Sequence, residues 1–94
     1  MSNAPKRDEY YKIGYLSRMM RLLEFNSEVA EKLHKILEDV TREGGFRDLN
    51  EQEVAYIKEL VKRYKEKTGT SIVDDMVKVL GAEARAYLRE FEVV

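Results

Sequence analysis

The chain has 94 residues, a net charge of −1 and no cysteine. That length points to one domain, 1–94, with one modest core hiding roughly 60–68 % of the unfolded surface. The missing thiol excludes disulfides, thiolate zinc sites and a cysteine nucleophile, and the near-zero charge argues against a dedicated binder of nucleic acid or acidic membrane. Hydrophobic residues make up 44 % and charged residues 37 %, a globular mix with a heavily charged exterior. Such a surface suits helices laced with ion pairs and is a hint of life at high temperature. No apolar run approaches the roughly 18 residues of a membrane span. No signal-peptide core heads the sequence, so a cytoplasmic location and no membrane partner are expected. Residues 1–4 are expected to be disordered or a cloning remnant.

Apolar residues recur at three- and four-residue steps along most of the chain, and nothing alternates like a half-buried strand. The expectation is therefore an all-α protein, a four-helix bundle or orthogonal helical array, with helices over roughly 5–24, 27–43, 51–68 and 71–92. Pro5 suits a first helical turn, where its missing N–H costs nothing. In the first helix Ile13, Tyr15, Leu16, Met19, Met20, Leu22 and Leu23 cover about half the circumference at 100° per residue. Gly14, Ser17, Arg18 and Arg21 occupy the other half. So wide an apolar face suggests two neighbours.

Asn26 or Ser27 is placed to cap the second helix. Its face is Val29, Ala30, Leu33, Ile36, Leu37 and Val40, and Gly44-Gly45 is expected to end it with a left-handed residue. The third helix starts at Asn50, with Glu53 placed to reach back as in a capping box and Leu49 and Val54 placed as a hydrophobic staple. Val54, Ile57, Leu60, Val61 and Tyr64 form its stripe, Lys65 and Lys67 suit the helix dipole, and Gly69 ends it. Ser71 is expected to cap the fourth helix. There Val73, Val77, Leu80, Ala84, Tyr87 and Phe91 step by 4, 3, 4, 3 and 4, unbroken through Gly81. The phase predicts one helix of about 20 residues, with Gly81 costing about 1 kcal/mol relative to Ala.

Charge alternates along the chain. Residues 1–23 carry net +3, 24–53 net −5, 54–70 net +3 and 71–94 net −2. Alternation of this kind favours antiparallel packing of neighbouring helices. Two basic stripes stand out as partner surfaces, Arg7, Arg18 and Arg21 on the first helix and Lys58, Lys62 and Lys65 on the third. Tyr10, Tyr11 and Tyr15 lie near Lys6, Arg7 and Lys12, an aromatic–basic mixture able to stack on single-stranded bases. Packing of these rings within the protein is the simpler reading.

Groups for catalysis are few. His34 is the only histidine, and Glu31 and Glu38 share its side of the second helix. This is one fragment of the Glu-x-x-His pattern of di-iron bundles, which needs two such motifs and further glutamates. Pairing of His34 with a neighbouring carboxylate is the expected outcome. No serine or threonine has a nucleophile-elbow context. Gly44-Gly45 lacks the strand and the Lys-Ser/Thr of a phosphate loop. Asp74-Asp75 resembles a carboxylate pair for acid/base work, but a first helical turn explains both. No catalytic residue, metal site or cofactor is expected.

Three fragments resemble the DNA-binding region of MerR-type regulators. Tyr11-Lys12-Ile13-Gly14-Tyr15-Leu16-Ser17 is similar to that family's opening helix. Gly45-Phe46-Arg47 followed by Leu49, Glu53, Val54, Ile57 and Leu60 is similar to its wing and next helix, and Gly69-Thr70-Ser71-Ile72 to the turn after it. The resemblance implies DNA binding through Arg18, Arg21 and the 45–47 loop. The family's turn and recognition helix would fall over Arg21–Glu31, where this chain has no turn glycine. Its second helix is acidic on the polar side, which phosphates repel.

The leading expectation is a non-enzymatic helical module for protein–protein interaction and assembly, with a homodimer favoured over a foreign protein. Its candidate partner-binding residues are Arg7, Arg18, Arg21, Phe46, Arg47, Tyr87 and Phe91. Phe25, Val93 and Val94 are further candidates for exposed apolar surface. A small DNA-binding regulator is the alternative.

Overall fold

A computed structural model describes residues 7–92, with side chains from Glu9 onward. Residues 1–4, Pro5, the Arg7 side chain, Val93 and Val94 lie outside the described residues, and the expectations placed on them with them. The chain is all-α, with five α-helices and two short 3₁₀ turns among the described residues. Its contacts form two compact units, Met1–Asn50 and Glu51–Val94. No described helix is long and apolar enough to cross a membrane.

The first unit pairs α1 (Arg7–Leu22) with α2 (Ser27–Thr41). α1 buries Tyr15, Leu16, Met19 and Met20, and Leu23 just beyond its end is also buried. Leu22, expected on that face, is 47 % exposed. Of the two candidate caps, Asn26 and Ser27, it is Asn26 that caps α2, its Oδ1 accepting from the Val29 N–H at 2.9 Å. Leu33, Ile36 and Val40 form the buried stripe.

The end of α2 differs in detail from the expected glycine stop. The helix closes at Thr41, whose hydroxyl donates to the Leu37 carbonyl at 2.9 Å, and a 3₁₀ turn succeeds it over Arg42–Gly44. The left-handed step begins at Glu43, with φ 59°, one residue before Gly44 at φ 73°. The Arg47 N–H then donates to the Val40 carbonyl at 3.0 Å, which folds the 45–50 segment back along the end of α2.

The second unit holds α3 (Glu51–Thr68), α4 (Ile72–Leu80), α5 (Glu83–Leu88) and a 3₁₀ turn over Arg89–Phe91. Its buried residues are Ile57, Leu60 and Val61 on α3, Ile72, Val73 and Met76 on α4, and Ala84, Leu88 and Phe91 beyond. Gly69 ends α3 as predicted, at φ 83°, its N–H returning to the Lys65 carbonyl at 2.8 Å. Ser71 stands at the N-cap of α4 but its side chain makes no capping bond. That start is secured instead by Asp75, whose Oδ2 accepts from Thr70 Oγ1 at 2.8 Å and Tyr64 Oη at 2.9 Å.

The single helix expected over 71–92 is broken. Gly81 takes φ 94° and ψ 172°, a region open essentially to glycine alone. Its N–H closes the last turn of α4 on the Val77 carbonyl at 2.9 Å, and hydrogen bonding resumes with Ala84 N–H to the Gly81 carbonyl at 3.2 Å. The break lets α5 and the last turn fold back, so that α5 packs on α4 and the last turn on α3. Apolar periodicity carries no sign of this, because the same residues stay in phase on either side of the glycine.

Candidate interaction surface

The exposed side of α1 follows from its sequence. With Tyr15, Leu16, Met19 and Met20 buried on the other side, Tyr10 and Tyr11 remain 54 % and 42 % exposed. Arg18 and Arg21 are exposed and Gly14 and Ser17 half-buried. At 100° and 1.5 Å per residue, Tyr10, Gly14, Ser17 and Arg21 stay within an arc of about 60° and span about 16.5 Å. The row therefore has a ring at one end, a cation at the other and two small residues between. A Cβ on Gly14 would stand 3.9 Å from Arg18 Nη1, so the Arg18 side chain lies over that low centre.

At the N-terminal end of this row the 45–50 segment adds a second ring. The backbone bond from Arg47 to Val40 brings Phe46 beside Tyr10, ring centroids 5.2 Å apart and planes at 66°, an edge-to-face pair. Lys12 Nζ lies 3.7 Å from Asp48 Oδ1 across the same junction. Ile13, Phe46 and Leu49 line a shallow cleft there, edged by Glu9, Lys12, Arg47 and Asp48. That edge carries two acids and two bases, so its charges balance among the described residues.

The candidate residues therefore separate. Arg18, Arg21, Phe46 and Arg47 lie on the surface of the first unit, and Phe46 joins Tyr10. Arg47 turns one guanidinium nitrogen onto its neighbour, Nη1 donating to the Asp48 carbonyl at 2.8 Å. Tyr87 is half-buried in the second unit. Phe91 is a correction: it is 1 % exposed and belongs to the core, because the 3₁₀ turn after α5 carries it back towards α3. Phe25, also expected at the surface, is half-buried. Sequence reasoning misses that Tyr10 and Arg21 belong to one row. The signal is present in the 4-3-4 spacing of Tyr10, Gly14, Ser17 and Arg21, on the polar half of α1.

Other chemistry-bearing groups have structural partners. His34 Nε2 lies 2.9 Å from Glu24 Oε1, a carboxylate of the α1–α2 connection. No cluster of three or more possible ligands is placed to hold a metal among the described residues. The outer side of α2 carries four acids, three bases and His34 in an open groove. Asp74 and Asp75 do not act as a pair: Asp74 and Glu92 both engage the Arg85 guanidinium, while Asp75 takes the Thr70 and Tyr64 hydroxyls. Arg85 is held above its ordinary pKa by its bonds to Asp74 and then Glu92. Tyr64 is pushed above its ordinary value of 10.0, first by burial and then by its bond to the Asp75 carboxylate. Lys58, Lys62 and Lys65 remain exposed along α3. No protein-family model, curated protein or solved structure matches the chain.

Proposed function

We propose that this chain is a non-enzymatic helical assembly module that associates with a second copy of itself through the exposed row of α1. The observation that carries the reading is the order Tyr10, Gly14, Ser17, Arg21. In a two-fold contact residue i of one copy meets residue j of the other and j meets i. Two antiparallel α1 helices centred between Gly14 and Ser17 set Tyr10 of each copy against Arg21 of the other. A guanidinium over an aromatic face is worth about 0.5–1 kcal/mol at an exposed site, and the symmetric arrangement makes that contact twice. Gly14 and Ser17 add little bulk at the centre, where close approach requires the flexible Arg18 side chain over Gly14 to swing aside. The charge-balanced edge around Phe46 neither repels a second copy nor favours a strongly charged partner. Contact through one helix belongs to the small, transient class of interface, so association is weak and concentration-dependent.

Sedimentation velocity over a concentration series tests this. The wild-type chain is expected to move from a species of 11.1 kDa towards twice that mass. Tyr10→Arg, which opposes two cations, is expected to abolish the shift, and Tyr10→Arg with Arg21→Glu to restore it. A monomer at every concentration overturns the reading, as does indifference to Tyr10→Arg.

A small DNA-binding regulator is the second reading, favoured by the exposure of Arg18, Arg21 and Arg47. It requires a shift of duplex DNA in a gel whose affinity falls steeply with added salt. No shift at low salt removes it.

A further inference from the structure

The second unit contains a break that its own sequence does not ask for. Val73, Met76, Leu80, Ala84, Leu88 and Phe91 would lie within an arc of about 120° on one straight helix. Five of these six are buried in the bent form and Leu80 is half-buried. The same side chains therefore suit two backbones. Ala82, Glu83, Ala84 and Arg85, which come after the break, include no helix breaker.

Two features hold the bend. One is Gly81 at φ 94°, with no heavy atom within 4 Å of the place a Cβ would take. A side chain there meets no neighbour, so the barrier to substitution is the backbone conformation alone. The other is Arg85, which bridges Asp74 on α4 and Glu92 beyond the last turn. In a straight helix Asp74 and Arg85 stand eleven residues, or about 16.5 Å, apart along the axis, too far to bond. Within one copy the bridge therefore exists only in the bent form. Its Asp74 end is exposed and its Glu92 end half-buried, so the Asp74 contact is the more sensitive to salt. Val79, just before the bend, is 82 % exposed and contributes little to either face of the packing.

We infer that Gly81 is a hinge between this bent form and a straight helix over about 72–91, and that the occupant of the straight form is a second copy of the chain. Straightening withdraws α5 and the Arg89–Phe91 turn from α3 and α4 of their own chain. An identical segment from another copy remakes those contacts, which is the exchange known as domain swapping. No new complementary surface is needed, since every contact regained is one the second unit already makes. This is why a second copy is the occupant rather than a foreign helix. The inference does not depend on the α1 row.

Gly81→Ala biases the hinge from both sides: it strains the bent backbone and favours a continuous helix. Together these shift the ratio of straight to bent forms by roughly 30- to 900-fold. Light scattering on a sizing column should compare Tyr10→Arg with Tyr10→Arg/Gly81→Ala, so that association through α1 is absent from both. The first is expected to run as a monomer and the second as a dimer without loss of helical circular dichroism. Arg85→Gln in the same background is expected to speed amide exchange over 83–91 without favouring the dimer, because an exchanged segment remakes the Asp74–Arg85 bridge between copies, and added salt to mimic it. In the wild-type chain, amide hydrogen exchange is expected to reveal an opening shared by 83–91 that leaves α3 protected. A folded, monomeric Gly81→Ala variant overturns the inference; where the variant does not fold, amides of 83–91 that exchange only with those of α3 in the wild-type chain overturn it. A helical dimer, or, where the variant does not fold, the shared opening of 83–91, supports it.

Discussion

Phe46 and Phe91 are the same residue in similar settings, each in an irregular segment just beyond a helix end, and they meet opposite fates. Phe91 is 1 % exposed and part of the core of the second unit. Phe46 is half-buried, edge-on to a Tyr10 ring that is itself 54 % exposed. The difference lies in the backbone that carries them. Three residues of 3₁₀ turn keep Phe91 in helical phase with Ala84 and Leu88, so it arrives on the buried side. Glu43 and Gly44, both left-handed, end the phase of α2 before Phe46, and the extended segment lays that ring along the surface beside α1. Among residues after a helix end, phase retained predicts burial and phase lost leaves the side chain free to join a surface.

Alanine at the two positions gives the largest expected contrast. Phe91→Ala is expected to lose about 3–5 kcal/mol of stability, the range for a buried aromatic. Phe46→Ala is expected to lose less, about 1–2 kcal/mol, since Phe46 is only half-buried and part of its area already faces solvent. Urea unfolding followed by circular dichroism measures both. Equal losses would break the comparison and return Phe46 to the core. Phe46→Ala should also weaken self-association where Phe91→Ala, at temperatures at which it stays folded, should not.

The start of α4 sharpens the comparison with a polar contact. Tyr64→Phe removes the hydroxyl that bonds Asp75 and is expected to cost about 1 kcal/mol. The folded-state pKa of Tyr64 is raised, so the neutral phenol is the form that folding favours. Its contribution is complete below the unfolded value near 10.0 and declines as pH rises past it, because the unfolded chain then releases a proton that the folded chain keeps. Absorbance titration should reveal a phenol ionising above 10.0 that is lost in Tyr64→Phe. Asp75→Asn should bring it earlier, since the carboxylate that holds back ionisation is gone. A Tyr64 that titrates alike in both forms would refute the assignment.

Much of the fold is legible in the sequence for the same reason these contrasts are. Asn26 and Ser27 read as cap candidates because either type ahead of an apolar stripe can accept a backbone N–H bond, and the Asn26 side chain does cap. Gly69 reads as a stop and is one, with turn-forming Thr70 and Ser71 after it to agree with the glycine. Gly81 reads as interior to a helix because Ala82, Glu83 and Ala84 after it agree with a helix, and only contacts distant in sequence decide against them. Ser71 misleads for a related reason. Its type and position suit a cap, but the start of α4 is held by Asp75, and its link to Tyr64 on α3 is invisible to local reading. The surface is half legible: Arg18, Arg21 and Phe46 stand out in the sequence, but Tyr10 falls among aromatics suited to stacking rather than in the row that ends at Arg21.

The smallest expected effect lies at the residue that frees Phe46 from helical phase. Glu43 sits at φ 59° and ψ 25°, where a β-carbon crowds the backbone, and it is the only non-glycine among the described residues with positive φ. Left-handed geometry costs an ordinary residue about 1–2 kcal/mol, and glycine escapes that cost but gives up about 0.5–1 kcal/mol in the greater freedom of its unfolded chain. The two terms nearly offset, so Glu43→Gly is expected to raise stability by about 0.5 kcal/mol, read as a higher urea midpoint at unchanged slope. The sign is the informative part. A loss would mean that Glu43 makes a contact outweighing its strain. A gain would mean that the return of Arg47 to Val40 sets the turn, with the left-handed residue tolerated because it delivers Phe46 to Tyr10.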